Sequence, residues 1–343
     1  MPPASDVSYD WTGNCQIPTS CTIFTATIGD SVFFGNNEDY RLWGTYAWVV
    51  PRQEISTPSG PSTIYGAIFF GFDNNSDLAD GHPQGGMNDQ GLCLDGNGLG
   101  SYSLNPHYER PPPYASLLAE LLWECGTIND VITWFQTHTI GSSMAYQLHF
   151  ADITGDAVVV SAGPDNEIAF TRIEGATHLV STNINVADPN RNVYDCWRYS
   201  TATYMLSSIT SEDELTVEAC RDVLDAVHQE GEYATKYSNI FDPVTRQIYL
   251  YNDRDFNNPA TMSLNAELAD VHPDAQGYYE RDALFGAYGA DGDIHYRQIK
   301  LTSLFTTTTL PPSLLPVILG ISIIGTITII STIIFYKRKR RIN

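Results

Sequence analysis

Two alternating runs, CTIFTATI at residues 21–28 and SVFFG at residues 31–35, flank the dipeptide Gly29-Asp30. Alternation with period two reads as β-strand, and a Gly-Asp pair between two such runs reads as a tight hairpin turn. This pairing constrains the chain more than any other feature, because a hairpin turn fixes register. Residue i then lies opposite residue about 59 − i in an antiparallel pair. Cys21 faces Glu38, with Asn36, Asn37 and Asp39 beside it. The hairpin is therefore expected to bring a thiol, two amides and a carboxylate to one end of a sheet.

The rest of residues 21–300 reads as mixed α and β. Apolar alternation places strands at 45–50, 64–71, 91–95, 145–150, 157–161, 237–241 and 247–251. Helical spacing covers 116–124, 128–136 and 195–208. Ser211 and Glu214 form a capping box that opens a further helix ending near Gly231. No repeat and no linker interrupts this stretch, so residues 21–300 form one domain.

Residues 301–336 carry no charge, and KRKRR follows at once. Residues 314–336, LLPVILGISIIGTITIISTIIFY, would span about 34 Å as a helix, enough to cross the ~30 Å hydrocarbon layer. The expectation is a transmembrane helix at 314–336 behind a Thr/Pro-rich stalk at 301–313, with a basic tail at 337–343. The cationic run puts the tail in the cytoplasm and the body outside. Residues 1–20 contain no apolar core of a secretory signal, which leaves a tail-anchored protein with a cytoplasmic body as the alternative orientation. The 343 residues hold 18 Lys and Arg against 40 Asp and Glu, and five of those cations lie in the tail run. An acidic body repels phosphate backbones, so nucleic acid is not the expected partner.

The six cysteines are scattered, with no CxxC pair and no HExxH, which argues against structural zinc. DNNSD at 73–77 lacks the Gly and Glu spacing of a calcium loop. Only Cys21 has a context that suggests chemistry. A thiol nucleophile needs a base, and no histidine lies near it in sequence. Cleavage of the Ser20–Cys21 bond would free an α-amine within reach of the sulfur, and such an amine titrates near pH 7.7–8.0. Residues 1–20 are therefore read as a propeptide. Asp39 would orient the freed amine, and asparagine side chains would donate to an oxyanion.

Six segments then carry a resemblance, in order. They are CTIFTATIGDSVFFGNNEDY from Cys21, GGMNDQGLCLDGN at 85–97, LHFADITGDAVVV at 148–160, VSTNINV at 180–186, CWRYSTA at 196–202 and YSNIFDPVTRQIYLY at 237–251. Together they resemble the N-terminal-nucleophile hydrolases of the choloylglycine hydrolase and penicillin V acylase group, whose relatives include acid ceramidase, N-acylethanolamine amidase and isopenicillin N acyltransferase. The resemblance implies an α+β fold, a four-layer αββα sandwich. It implies Cys21 as nucleophile with its own amine as base, and Asp39 holding that amine. It also implies Asn183 as an oxyanion donor and Arg198 steadying the charged site. Asn36 and Asn37 are candidate substrate-binding residues. Two departures stand out. The family's first-hairpin arginine falls at Asn36 and is absent. Its second oxyanion asparagine falls at Gly98, so the neighbouring Asn97 is the candidate for that role.

The implied activity is hydrolysis of a linear, non-peptide C–N amide through a Cys21 thioester, on a small-molecule substrate and with no metal or organic cofactor. Acyl transfer, dipeptide cleavage by the same nucleophile, and a non-catalytic membrane-anchored binding domain are the rivals.

Overall fold

A computed structural model describes residues 20–41, 44–73, 81–188, 196–281 and 294–305. The chain runs through β1 (Ser20–Ile28), β2 (Ser31–Asp39), β3 (Gly44–Val50), β4 (Gln53–Thr57), β5 (Gly60–Ile64), β6 (Ala67–Asp73), β7 (Gly81–Asn88) and β8 (Cys93–Ser103). Two helices follow, α1 (Leu117–Glu124) and α2 (Ile128–Thr137), then β9 (Ser143–Ala151), β10 (Ala157–Ala162), β11 (Ile168–Arg172) and β12 (His178–Ser181). Next come α3 (Trp197–Ser207), α4 (Val217–Ala226), β13 (Thr235–Asp242), β14 (Gln247–Asn252), β15 (Ala260–Ser263), α5 (Leu264–Ala269), β16 (Tyr278–Arg281) and β17 (Ile294–Lys300).

Two antiparallel sheets dominate. One has six strands in the order β12-β1-β2-β13-β14-β15, the other nine in the order β11-β10-β9-β8-β7-β6-β3-β17-β16. Strand periodicity sorts side chains onto two faces. On the outer face of the six-stranded sheet, Phe24, Ala26, Val180 and Ile240 pack with Ala202, Leu206, Val223 and Leu224 of α3 and α4. On the outer face of the nine-stranded sheet, Phe69, Leu94, Leu148, Phe150 and Val158 pack with Leu121, Leu122, Val131 and Phe135 of α1 and α2. The inner faces meet through rings: Phe34 stacks on Phe241 at 5.9 Å, and Phe70 and Phe72 approach Phe241 and Tyr237 at 5.8 Å and 6.1 Å. Helix, sheet, sheet, helix is the layering that the resemblance implied.

The first hairpin has the register expected from its turn: Cys21 pairs with Glu38, Ile23 with Asn36 and Ile28 with Ser31. Gly29 turns the chain at φ 62°, a conformation that L side chains avoid. Gly35 is required for a different reason. A Cβ there would lie 2.4 Å from the Phe24 ring, so any larger residue would require that buried ring to shift.

Two local expectations are corrected. The stretch 64–71 is not one strand. The chain turns at Tyr65-Gly66, where the Gly66 amide donates to Asp89 Oδ2 at 3.0 Å and the Tyr65 amide to the Trp123 carbonyl at 3.0 Å. Ile64 closes the separate β4-β5 hairpin instead. The Ser211/Glu214 box caps only a single 3-10 turn, Glu212–Glu214. Buried Leu215 leaves the helical region, and Thr216 caps α4 afresh by accepting from the Ala219 amide; α4 ends at Ala226, well before Gly231.

The chain divides into a body through Thr302 and a C-terminal unit from Ser303. Among the described residues no helix is long and apolar enough to cross a membrane. The expected membrane segment 314–336, the basic tail, stalk residues 306–313, propeptide residues 1–19 and most of the DNNSD loop lie outside the described residues.

Candidate active site

Cys21 is the second residue of β1 and is 3% exposed. Its backbone is held by three side chains from distant parts of the chain. The Cys21 amide donates to Asn183 Oδ1 at 3.2 Å. Its carbonyl accepts from Asn97 Nδ2 at 3.1 Å and from Arg198 Nη1 at 2.8 Å. Register explains the first contact. β12 pairs with β1 through Ile23 and Ser181, and continuing that pairing two residues further brings Asn183 opposite Cys21. β8 carries Asn97 across from the other sheet, and the first turn of α3 delivers Arg198.

Arg198 is fully buried. Its Nη1 also donates to Thr22 Oγ1 at 2.9 Å, its Nη2 donates to Asn183 Oδ1 at 2.7 Å, and it lies 3.6 Å from Asp39 Oδ2. Asp39 accepts further from Gln229 Nε2 at 2.8 Å and from the Thr235 hydroxyl. Burial pushes Asp39 up to about 6, and Arg198 and these donors oppose that rise. Two donors, the Cys21 amide and Arg198, converge on the oxygen of Asn183. Its Nδ2 is engaged by the Gly98 carbonyl at 2.7 Å. In this arrangement Asn183 serves the nitrogen of Cys21 rather than an oxyanion.

The thiol lies on the inner face, among acids. Cys21 Sγ is 3.3 Å from Glu38 Oε1. Asn36 Nδ2 donates to Asp95 Oδ2 at 2.8 Å, and Asp95 comes from β8. Desolvation raises the Cys21 thiol well above its ordinary value, and the charges of Glu38, Asp39 and Asp95 raise it further; the Asp39 backbone amide partly opposes this. Glu38 is also raised well above the usual carboxylate range, by burial and then by Asp95. Asp95 is pushed to about 7 by burial. With the chain intact, the thiol therefore holds its proton.

The structure thus brings Cys21, Asp39, Asn97, Asn183 and Arg198 together, and Asn36 one pair further along. Asn37 does not join them. It faces the helices, where Nδ2 donates to the Leu224 carbonyl at 2.8 Å and Oδ1 accepts from Ser238 at 2.6 Å. Period-two alternation is the reason: residues 36 and 38 share the inner face, 37 and 39 the outer. Two residues were not singled out from sequence. Glu38 was legible as the register partner of Cys21 and touches the sulfur. His149, on β9, bonds Thr25, four residues along β1 from Cys21, at 3.0 Å and Ser181 at 2.9 Å, and burial lowers it to about 3, which disfavours it as a base.

No family model matches this sequence, and no curated protein matches it. Solved structures do. A variant of conjugated bile acid hydrolase from Clostridium perfringens superposes with a TM-score of 0.56 at 15% identity, covering 72% of this chain and 93% of that one. Penicillin V acylase from Agrobacterium tumefaciens gives 0.53 at 18% identity, covering 70% and 84%. The chain shares its fold with these two proteins. At these identities the shared property is the fold, and the chemistry of this chain rests on its own side chains.

Proposed function

We propose that this protein is an amidohydrolase that cleaves a linear, non-peptide C–N amide through a thioester on Cys21, after removal of residues 1–20. The observation that carries the reading is the convergence of Asn183, Asn97 and Arg198 on the nitrogen and carbonyl of one cysteine. Fixing the backbone of a single residue with three buried polar side chains is costly unless its geometry matters. Once Cys21 is the N-terminus, its α-amine takes the thiol proton, and Asn183 Oδ1 orients that amine. Arg198 holds Asn183, and Asp39 balances Arg198. The thiolate attacks the substrate carbonyl, Asn97 donates toward the developing oxyanion, and the α-ammonium protonates the leaving amine. Water then opens the thioester. The likeness to a conjugated bile acid hydrolase and a penicillin V acylase supports an N-acyl amide as the substrate class. Residues 314–336 are proposed to anchor the body, outside the cell, to a membrane.

A panel of N-acyl amino acids, conjugated bile salts, penicillin V and dipeptides tests the reading. Chains that begin Cys-Thr-Ile-Phe should turn over at least one linear amide, and Cys21→Ala chains none. A stable full-length chain that never acylates Cys21 would favour the binding-domain alternative. Residues 1–305, freed of the apolar run, should stay in the aqueous phase; partition into vesicles would refute the single anchor.

A further inference from the structure

The proposed maturation leaves one step without a base. Before Ser20–Cys21 is cut, the Cys21 nitrogen is a peptide amide, and β1 runs unbroken through Ser20, paired with Asp39. An amide nitrogen cannot take the thiol proton. The other candidates are engaged elsewhere. His149 is tied by both ring nitrogens to Thr25 and Ser181. The Asp39 carboxylate lies on the outer face with Thr235, Gln229 and Arg198. Asp95 is engaged by the Asn36 amide and by the Gly96 backbone at 2.7 Å. Among the described acids, Glu38 is the one whose carboxylate touches the sulfur, with Oε1 3.3 Å from Sγ, and its second oxygen, Oε2, is buried with no partner among the described residues.

We propose that Glu38 is the proton acceptor for the Cys21 thiol in self-cleavage of the Ser20–Cys21 bond. This rests on the reading that Cys21 becomes the chain's N-terminus. The proton moves from Sγ to Glu38 as sulfur bonds to the Ser20 carbonyl carbon. The tetrahedral adduct then expels the Cys21 nitrogen, which takes the proton back from Glu38. A Ser20 thioester and a free α-amine result. Water hydrolyses the thioester, releasing a Ser20 carboxylate and restoring the thiol. No redox partner enters, and each proton is accounted for.

The surroundings suit this role. The groups facing Glu38 are Cys21 from β1, Asn36 and Asp39 from its own strand, Asp95 from β8 and Tyr237 from β13. None is a cation; hydrogen bonds from Cys21 and Asn36 favour the ionised form, and burial together with the charge of Asp95 outweighs them. A carboxylate made more basic by its surroundings is a better acceptor for a thiol than an ordinary one, because the gap in basicity is smaller. The resemblance places an arginine at Asn36. An arginine there would place a cation beside Glu38 and Asp95 and lower the basicity of the acceptor, whereas the Asn36 amide is neutral and only hydrogen-bonds these acids.

The test uses the full chain made by cell-free translation into lipid nanodiscs, with loss of residues 1–20 followed by intact mass from pH 5 to 9. Wild-type processing should accelerate with pH as Glu38 loses its proton. Glu38→Gln should be slower by about 100-fold or more, and Glu38→Asp should fall between them with the same rising profile. Equal rates for wild type and Glu38→Gln, or a wild-type chain that stays full length, would overturn the proposal. If Glu38→Gln fails to fold, as judged by its melting curve, Glu38→Asp decides: processing at the wild-type rate refutes the role. A separate arm places a specific protease site directly before Cys21 in the otherwise wild-type chain. Amide turnover after that external cut upholds the hydrolase reading even where self-processing fails. An inert, correctly trimmed chain defeats the hydrolase reading itself.

Discussion

The two faces of the first hairpin, a few ångströms apart, are built on opposite principles. On the outer face, Thr22, Asn37 and Asp39 each have side-chain partners: Arg198, Leu224 with Ser238, and Thr235 with Gln229. On the inner face, polar atoms are left over. Asn36 Oδ1, Glu38 Oε2, Asn97 Oδ1, the Tyr237 hydroxyl and both amide atoms of Asn239 are buried without partners among the described residues. A buried polar atom without a partner costs about 1–3 kcal/mol. The outer face therefore fixes the hairpin, and the inner face keeps unsatisfied groups where the thiol reacts.

The sharpest break in this comparison is at the thiol. Cys21→Ala removes the one nucleophile of the inner face and should abolish both processing and amide turnover, read by intact mass and by product release. Residual turnover by that variant would move the chemistry away from this face.

The next largest effect belongs to the outer face. Arg198→Met leaves Asp39 buried without its cation and removes one of the donors to the Asn183 oxygen. Breaking a buried pair in this way costs about 3–5 kcal/mol. The urea midpoint should fall accordingly, with loss of processing. A variant of unchanged midpoint would show that the outer network does not hold the hairpin.

A pH effect should report the buried acids of both faces, and a variant of Asp95 isolates the inner one. Asp39 and Asp95 are raised to about 6 and about 7, and Glu38 is raised too, so the folded chain binds protons more tightly than the unfolded one. The stability contributed by these acids is present at pH 4 and is lost as pH rises through 6 and 7. The melting temperature of the intact precursor should be higher near pH 5 than near pH 8, and Asp95→Asn should flatten that slope. A precursor that melts higher at pH 8 would contradict the burial of these acids.

The smallest effects form a matched pair. Asn37→Ala loses two satisfied hydrogen bonds and should destabilise by about 1–3 kcal/mol. Asn239→Leu removes two unsatisfied atoms at nearly constant volume, and should leave stability unchanged or raise it while amide turnover falls. Chemical denaturation of both variants tests this. Destabilisation by Asn239→Leu equal to that of Asn37→Ala would erase the difference between the faces.

Much of this site was readable before any coordinates. A two-residue turn sets register locally, so the facing of Cys21 and Glu38 followed from Gly29-Asp30 alone. The ordered segments around Asn97, Asn183 and Arg198 pointed to residues that converge on Cys21. The break at Tyr65-Gly66 was not readable, because it depends on Asp89 and on Trp123 in α1. The fresh start of α4 at Thr216 was missed because the capping box five residues earlier is a true box on a helix that ends after one turn.

The sequence by itself determined the hairpin, its register and the facing of Cys21 and Glu38, because turn chemistry and strand alternation act over a few residues; Asn97, Asn183 and Arg198 were named only by the resemblance. It could not say which face of the hairpin meets which layer, since alternation separates Asn36 and Glu38 from Asn37 and Asp39 without naming their neighbours. Only the tertiary structure decided that α3 brings Arg198 to the outer face and β8 brings Asp95 and Asn97 to the inner one. Only the tertiary structure turned the oxygen of Asn183 toward the Cys21 nitrogen. These outcomes depend on burial and on hydrogen-bond partners supplied from 59 to 177 residues away in the chain, and charge and solvation act through space, not along the sequence.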